Sequence, residues 1–219
     1  MQLVTTRDGS HTLYVSHLDE HYHSTYGAIT ESRHVFMDAG LLCRIEGPEV
    51  TVLEIGFGTG LNALLTCITA RDKQVKVTYH ALEKFPVEMT LVEKLNYASM
   101  LPQVPDAESL FAGIHKASWN ETAILHPFFH LHKMQDDLAN FHPEFEYDLV
   151  FFDAFAPEKQ PEMWTQAIFN RLYKNLGPDG ILTTYCVKGT VKRMLKTAGF
   201  RVEKLPGPPG KREILRGRK

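Results

Sequence analysis

The chain has 219 residues, of which 43% are hydrophobic, enough to bury one substantial core, and it carries no repeated unit or long polar linker. A formal net charge of −2 excludes an overall positive field, so a nucleic-acid partner would have to be met by a local basic patch. No run approaches ~18 apolar residues, Met1 to Asp8 lacks the apolar core of a secretory signal, and Cys43, Cys67 and Cys186 sit far apart in apolar surroundings; the expectation is a soluble, cytoplasmic protein with reduced thiols and no membrane partner.

In chain order, residues 1–49 read as an N-terminal extension packed on the core and residues 50–219 as the main domain. Thr12–Val15 alternates weakly, as a short strand does, and a polar, aromatic segment follows from His21 to Gly27. Thr30 is a plausible N-cap for a short helix over Glu31–Met37, stopped by Gly40. Val52-Leu53-Glu54-Ile55-Gly56-Phe57-Gly58-Thr59-Gly60-Leu61 reads as a strand, a tight turn and the start of a helix, because glycines at every second position let the backbone pass close to a ligand. Leu61, Leu64, Leu65 and Ile68 then recur at helical spacing.

The next strand runs over Val75–Leu82 into Glu83, followed by a helix from Pro86 to Leu95 and a helical or irregular stretch through Trp119. Phe128–Met134 predicts a strand ending near Asp136 and Asp137. Tyr147–Phe152, apolar almost throughout, is the pattern of a central parallel strand, and it delivers Asp153 at its carboxyl end. A helix over Pro161–Leu176, the turn Gly177-Pro178-Asp179-Gly180, a strand over Ile181–Cys186, a helix over Thr190–Ala198 and strands at Phe200–Leu205 and Arg212–Leu215 complete the chain. Alternating βα units with a terminal hairpin predict an α/β fold: a doubly wound, mostly parallel sheet whose last strand is antiparallel.

In such a sheet the ligand sits beyond the carboxyl ends of the strands, so Glu54, Glu83, Asp136 and Asp153 are expected to converge on one cleft. Glu83 follows the glycines by a little over ~20 residues, the spacing at which a carboxylate accepts hydrogen bonds from both ribose hydroxyls. A dinucleotide turn needs Gly-x-Gly-x-x-Gly; here the third glycine comes one place early and Leu61 stands at the expected site. Glu54 just before the turn would repel a pyrophosphate and favour the cationic sulfonium and α-amino groups of S-adenosylmethionine, so that cofactor fits better than NAD.

The loop Asp153-Ala154-Phe155-Ala156-Pro157-Glu158-Lys159-Gln160-Pro161-Glu162-Met163-Trp164 brings aromatic faces to the cleft mouth, where Phe155 suits a substrate contact and Trp164 suits packing. Asp153 could accept a hydrogen bond from an amine nucleophile and help position or deprotonate it. The pairs His21/His23 and His130/His132 lack companions at a metal-ligand spacing, so no metal is expected. The basic segments Lys188–Arg193 and Lys211–Lys219 are either a phosphate-binding rim or ordinary solvated charge.

Tyr26-Gly27-Ala28-Ile29-Thr30-Glu31-Ser32-Arg33-His34-Val35-Phe36, Glu54-Ile55-Gly56-Phe57-Gly58-Thr59-Gly60-Leu61-Asn62, Asp153-Ala154-Phe155-Ala156-Pro157, the downstream Lys159, Pro161 and Met163-Trp164, Ala198-Gly199-Phe200 and Gly210-Lys211-Arg212-Glu213 together carry a specific resemblance. The chain resembles the methyltransferase domain of the MnmC family, the tRNA 5-methylaminomethyl-2-thiouridine biosynthesis proteins, over nearly its whole length. The resemblance implies a Rossmann-like class I S-adenosylmethionine-dependent methyltransferase. The implied reaction is N-methylation of 5-aminomethyl-(2-thio)uridine at the tRNA wobble position. It implies that Glu54, Gly56, Gly58 and Gly60 hold the methionine end of the cofactor, Glu83 the ribose and Asp136 the adenine amino group. It further implies that Asp153 lies beside the transferring methyl and that Phe155, Lys159, Lys211 and Arg212 are candidates for tRNA contact. With no second glycine-rich motif in the sequence, no FAD is expected, and a separate enzyme is expected to supply the aminomethyl nucleoside to a partner tRNA read at its anticodon region. The competing readings are an aminopropyltransferase-like enzyme of the same fold and a non-catalytic tRNA-binding module.

Overall fold

In the computed structural model, which describes residues 1–45 and 47–219, the N-terminal segment forms a small antiparallel sheet of β1 (Gln2–Thr5), β2 (His11–Val15) and β3 (Glu20–His21). A short helix α1 (Ala28–Ser32) follows and widens into a π-helical turn over Arg33–Asp38. This helix starts from Gly27 instead of the expected cap Thr30, because the Thr30 hydroxyl and backbone N–H both donate to Asp8 Oδ2, at 2.8 and 3.0 Å. Asp8 therefore does the capping from a distant turn.

The main sheet begins with β4 (Glu49–Ile55), and α2 (Leu61–Lys73) crosses over it to β5 (Lys76–Glu83). The helix expected over Pro86–Leu95 contracts to one turn, α3 (Met89–Val92), and α4 (Ala107–Lys116) occupies the stretch after it. The sequence reading misses a strand here: β6 (Thr122–His126) pairs antiparallel with β7 (Phe129–Gln135) and forms the sheet edge. Then come β8 (Tyr147–Phe152) and α5 (Gln166–Asn175), which starts five residues later than expected behind a 3-10 turn at Pro161–Met163 and is capped by Thr165. β9 (Leu176–Thr184) absorbs the glycine-proline turn as an irregularity in its pairing with β8, and α6 (Gly189–Ala198), β10 (Arg201–Pro206) and β11 (Glu213–Arg218) close the chain.

The eight strands lie in the order β10-β11-β9-β8-β4-β5-β7-β6. Pairings among β9, β8, β4, β5 and β7 are parallel, and the last strand β11 runs antiparallel between β9 and β10, as expected. One apolar layer, containing Phe36, Leu64, Tyr79 and Phe111, packs α1, α2 and α4 on one face; the other, containing Phe152, Phe169, Leu172 and Leu195, packs α5 and α6 on the opposite face. Burial on both faces explains why Tyr147–Phe152 reads as a nearly continuous apolar run. The chain builds outward from β4 through β5 to β7 and then returns to β8, so the connections diverge between β4 and β8. That divergence opens a crevice at the carboxyl ends of those two strands. Among the described residues no helix is long and apolar enough to cross a membrane, and all three cysteines are free.

Candidate active site

The crevice is a cleft of about 810 Å³, within the ~300–1,000 Å³ range of small-molecule sites. Its floor is the turn after β4. Gly56 and Phe57 donate their N–H groups to the Leu82 carbonyl at 2.9 and 3.2 Å, which folds the turn across the end of β5. Gly56 has φ +88°, and a Cβ there would lie 2.7 Å from the Asp153 carbonyl oxygen, so only glycine lets the ends of β4 and β8 meet. The Gly58 N–H donates to Glu83 Oε2 at 3.0 Å, and the Tyr22 ring lies where a Gly58 side chain would project. Gly60 is not itself part of the cleft lining, and the space a Cβ would take is filled by His115 Nε2 at 2.7 Å and by the Phe57 ring. Its glycine serves the packing of α4 beneath the turn.

Glu83, Asp136 and Asp153 line the cleft, but Glu54 does not. Glu54 is completely buried one layer below, where Oε1 accepts from Asn62 Nδ2 at 2.9 Å and Oε2 has no hydrogen-bond partner. Burial pushes its carboxyl well above the usual range, against the opposing hydrogen bond from Asn62. The same Asn62 amide donates to Asp153 Oδ2 at 2.8 Å and accepts from the Ser32 hydroxyl, so one side chain on the first turn of α2 fixes both acids. Asp153 is reachable from the cleft but otherwise enclosed. Burial first, then the charge of Glu31, raises its carboxyl to about 7, against the opposing pull of Asn62 and Lys211.

The Glu83 carboxylate accepts two backbone N–H groups, Gly58 at Oε2 and Phe85 at Oε1, the latter at 2.8 Å, and burial nevertheless raises its pKa. Two of its four lone-pair sites remain for a diol in the cleft. Asp136 and Asp137 both line the cleft, but Asp137 is engaged by Lys84 Nζ at 2.8 Å and by the Ala139 N–H at 2.9 Å, whereas Asp136 accepts only the Asp137 N–H at 2.7 Å. Asp136 is thus the freer acceptor.

The rim is assembled from distant segments. Phe155 meets Tyr22 edge to face with ring centroids 4.9 Å apart, while Trp164 is buried against Phe152 and donates its indole N–H to the Phe155 carbonyl at 2.8 Å, which sets the loop. Lys159 Nζ lies 3.6 Å from Asp19, and Lys211 Nζ lies 2.8 Å from Glu31 and 3.9 Å from the Tyr185 ring centroid. Arg212, expected at the tRNA side with Lys211, is exposed and stands outside the cleft lining. His23 packs inside, with Nε2 2.9 Å from the Thr59 hydroxyl, and burial lowers its pKa to about 4. His132 Nδ1 pairs with Thr122 at 3.0 Å. Among the described residues no group of three or more His, Cys, Asp or Glu is placed to hold a metal ion.

Tyr22, Glu31, Asn62 and Tyr185 also belong to this cleft, beyond the site residues expected from the sequence. Of these, Glu31 and Asn62 lie in the stretches that carry the resemblance.

The sheet is open and doubly wound, with its glycine turn and strand-end acids at the switch point, and a family model described as S-adenosyl-L-methionine-dependent methyltransferase matches residues 112–219. Within that description the chain is similar to the MnmC proteins. It is 32% identical over 214 residues to the tRNA 5-methylaminomethyl-2-thiouridine biosynthesis bifunctional protein MnmC of Leptospira borgpetersenii, an alignment covering 91% of this chain and 32% of that protein. The chain therefore spans about a third of the length of the curated relatives it matches. The crystal structure of MnmC2 from Aquifex aeolicus superposes with a TM-score of 0.79 at 25% identity, covering 99% of this chain and 69% of that one. Spermidine synthase from Thermotoga maritima, at 14% identity and a TM-score of 0.57 with 95% of this chain and 68% of that one covered, shares the fold alone.

Proposed function

We propose that this protein methylates the exocyclic amine of 5-aminomethyl-(2-thio)uridine at the wobble position of tRNA, with S-adenosylmethionine as the donor. The observation that carries the reading is Asp153, enclosed at the end of β8 against the glycine turn and clamped by Asn62, in a chain whose relatives are named for biosynthesis of the methylaminomethyl nucleoside. S-adenosylmethionine supplies a methyl group on a sulfonium centre. The fit of the cleft to it rests on the acceptor sites left on Glu83 and Asp136, which suit a ribose diol and an adenine amino group, and on Gly56 and Gly58 forming the floor beside them.

An alkylamine is mostly protonated near neutral pH and cannot attack until it loses a proton. Asp153, with a carboxyl held near 7, is matched to take that proton at Oδ1 or Oδ2 while Asn62 fixes its orientation. Phe155 and Lys159 are assigned to the tRNA side of the cleft, with Lys211 and Arg212 on the hairpin tip beside it, facing the anticodon region. The reading places the protein in the cytoplasm, where its tRNA would be, and carries the expectation that a separate enzyme supplies the aminomethyl nucleoside. Methyl transfer from labelled S-adenosylmethionine to aminomethyl tRNA, compared with putrescine as acceptor, tests it. Label in the tRNA supports the proposal, and label in the polyamine alone overturns it.

A further inference from the structure

Glu31 is given no contact with a substrate above, yet its carboxylate sits in the cleft wall with only 8% of its side chain exposed. Oε2 accepts the Ser24 N–H at 2.7 Å and Oε1 lies 2.8 Å from the Lys211 ammonium. Lys211 reaches it from the tip of the β10–β11 hairpin, a turn closed by the Gly207 N–H on the Arg212 carbonyl at 3.0 Å and the Lys211 N–H on the Pro208 carbonyl at 2.9 Å. The same ammonium lies 3.9 Å from the centroid of Tyr185, whose hydroxyl donates to the Ala154 carbonyl at 2.8 Å and so fixes the ring beside Asp153.

A carboxylate, an aromatic face and a second carboxylate close by form a receptor for a primary alkylammonium. Lys211 Nζ is itself such a group, within electrostatic reach of Asp153. An aminomethyl substituent on a flipped-in base ends in the same –CH2–NH3⁺ unit. We infer that Glu31 and the face of Tyr185 form the acceptor-amine subsite, and that Lys211 fills it until the aminomethyl ammonium of the substrate displaces it.

This inference rests on the aminomethyl nucleoside being the acceptor. The seated ammonium gives one proton to Asp153; the freed lone pair forms the new N–C bond, and the C–S bond breaks with its electron pair returning to sulfur. The product is a secondary ammonium, still a cation, so Glu31 holds it until Lys211 returns.

Two tRNAs that differ only in carrying 5-aminomethyluridine or plain uridine at the wobble position test this, with binding to the full chain measured for both and turnover of the first recorded in parallel. The ratio of their affinities reports the amine alone, because contacts to phosphates cancel. Glu31→Gln is expected to collapse the preference for the aminomethyl tRNA by about tenfold or more, as loss of a charged hydrogen bond does, with affinity for S-adenosylmethionine unchanged. Lys211→Met is expected to move the ratio the other way, because the internal competitor is gone. Equal weakening of both tRNAs in Glu31→Gln, or an unmoved or lowered ratio in Lys211→Met, would mean that the pair is only a brace for the hairpin and would overturn the inference. Should Glu31→Gln fail to fold, the Lys211→Met ratio decides by itself. Absence of turnover by the unaltered protein would instead overturn the acceptor assignment, whereas turnover with unmoved ratios would overturn the subsite alone.

Discussion

The two halves of the cleft are built in different ways. The half assigned to the cofactor is made by the ends of adjacent parallel strands and held by backbone N–H groups, those of Gly56 and Phe57 donating to the Leu82 carbonyl and those of Gly58 and Phe85 to the Glu83 carboxylate. The half assigned to the acceptor is assembled from the N-terminal segment, the loop after β8 and the tip of the β10–β11 hairpin, and its joints are side-chain ion pairs, Lys159 with Asp19 and Lys211 with Glu31. A strand end is fixed by the whole sheet, so its geometry survives changes at the surface. An ion pair between loops opens at the cost of one contact, which suits a site that must admit a macromolecule. Asp153 and Asn62 lie where the halves join.

That junction should show the largest effect. Asp153→Asn is expected to slow single-turnover methyl transfer by about 10²–10⁴-fold, the range for loss of a general base, while calorimetry finds S-adenosylmethionine affinity nearly unchanged. In the unaltered protein kcat/KM should rise with pH through about 7 as the carboxyl ionises, and that limb should vanish in the variant. Asn62→Ala should keep the limb and move it to higher pH, because the hydrogen bond that lowers the Asp153 pKa is gone.

Next in size is the cofactor half. Glu83→Ala is expected to weaken S-adenosylmethionine binding by about ten- to hundredfold, the worth of hydrogen bonds to a charged group, with turnover at saturation little changed. Loss of turnover without loss of affinity would break the division between the halves.

Stability gives a separate check on the junction. The Asp153 carboxyl rises from 3.8 to about 7 on folding, so between those values the folded chain binds more protons than the unfolded one. Its stabilising contribution is full below 3.8 and is lost as pH passes about 7, and Glu54 acts in the same direction. Buried His23, His80 and His115, each held at about 4, give the opposite slope, so the check is the difference: in thermal denaturation of the unliganded protein, Asp153→Asn should gain stability relative to the unaltered chain as pH rises through that window. The smallest effect belongs to the rim: Lys159→Ala should raise KM for tRNA by less than about fivefold, since a partly exposed pair 3.6 Å apart contributes little.

The same contrast explains what could be read before folding. Tyr147–Phe152 declares a central strand because both its faces are buried, and the glycines after β4 declare a turn at its end, so the sheet, its antiparallel last strand and three of the four strand-end acids in the cleft follow from local pattern. Strand β6 escapes that reading because it lies at the edge and exposes Ile124 to 69%; backbone pairing with β7, and not an apolar pattern, makes it a strand. The side on which Glu54 falls is also silent, since its depth is decided by Asn62 closing over it from α2. Gly60 looks like its neighbours in the turn, but what it makes room for is His115, far along the chain. The acceptor half is the least legible part, because Glu31 and Lys211 meet only after both ends of the chain have folded onto the sheet.

The central claim is that this cleft joins a methyl group to the wobble aminomethyl amine, and nucleoside mass spectrometry tests it most directly. After incubation of aminomethyl tRNA with the protein and S-adenosylmethionine, the nucleoside released from the wobble position should have gained one methyl group, located on its side-chain nitrogen. An unchanged wobble nucleoside, or a methyl group found on any other nucleoside while the protein binds S-adenosylmethionine, would contradict it.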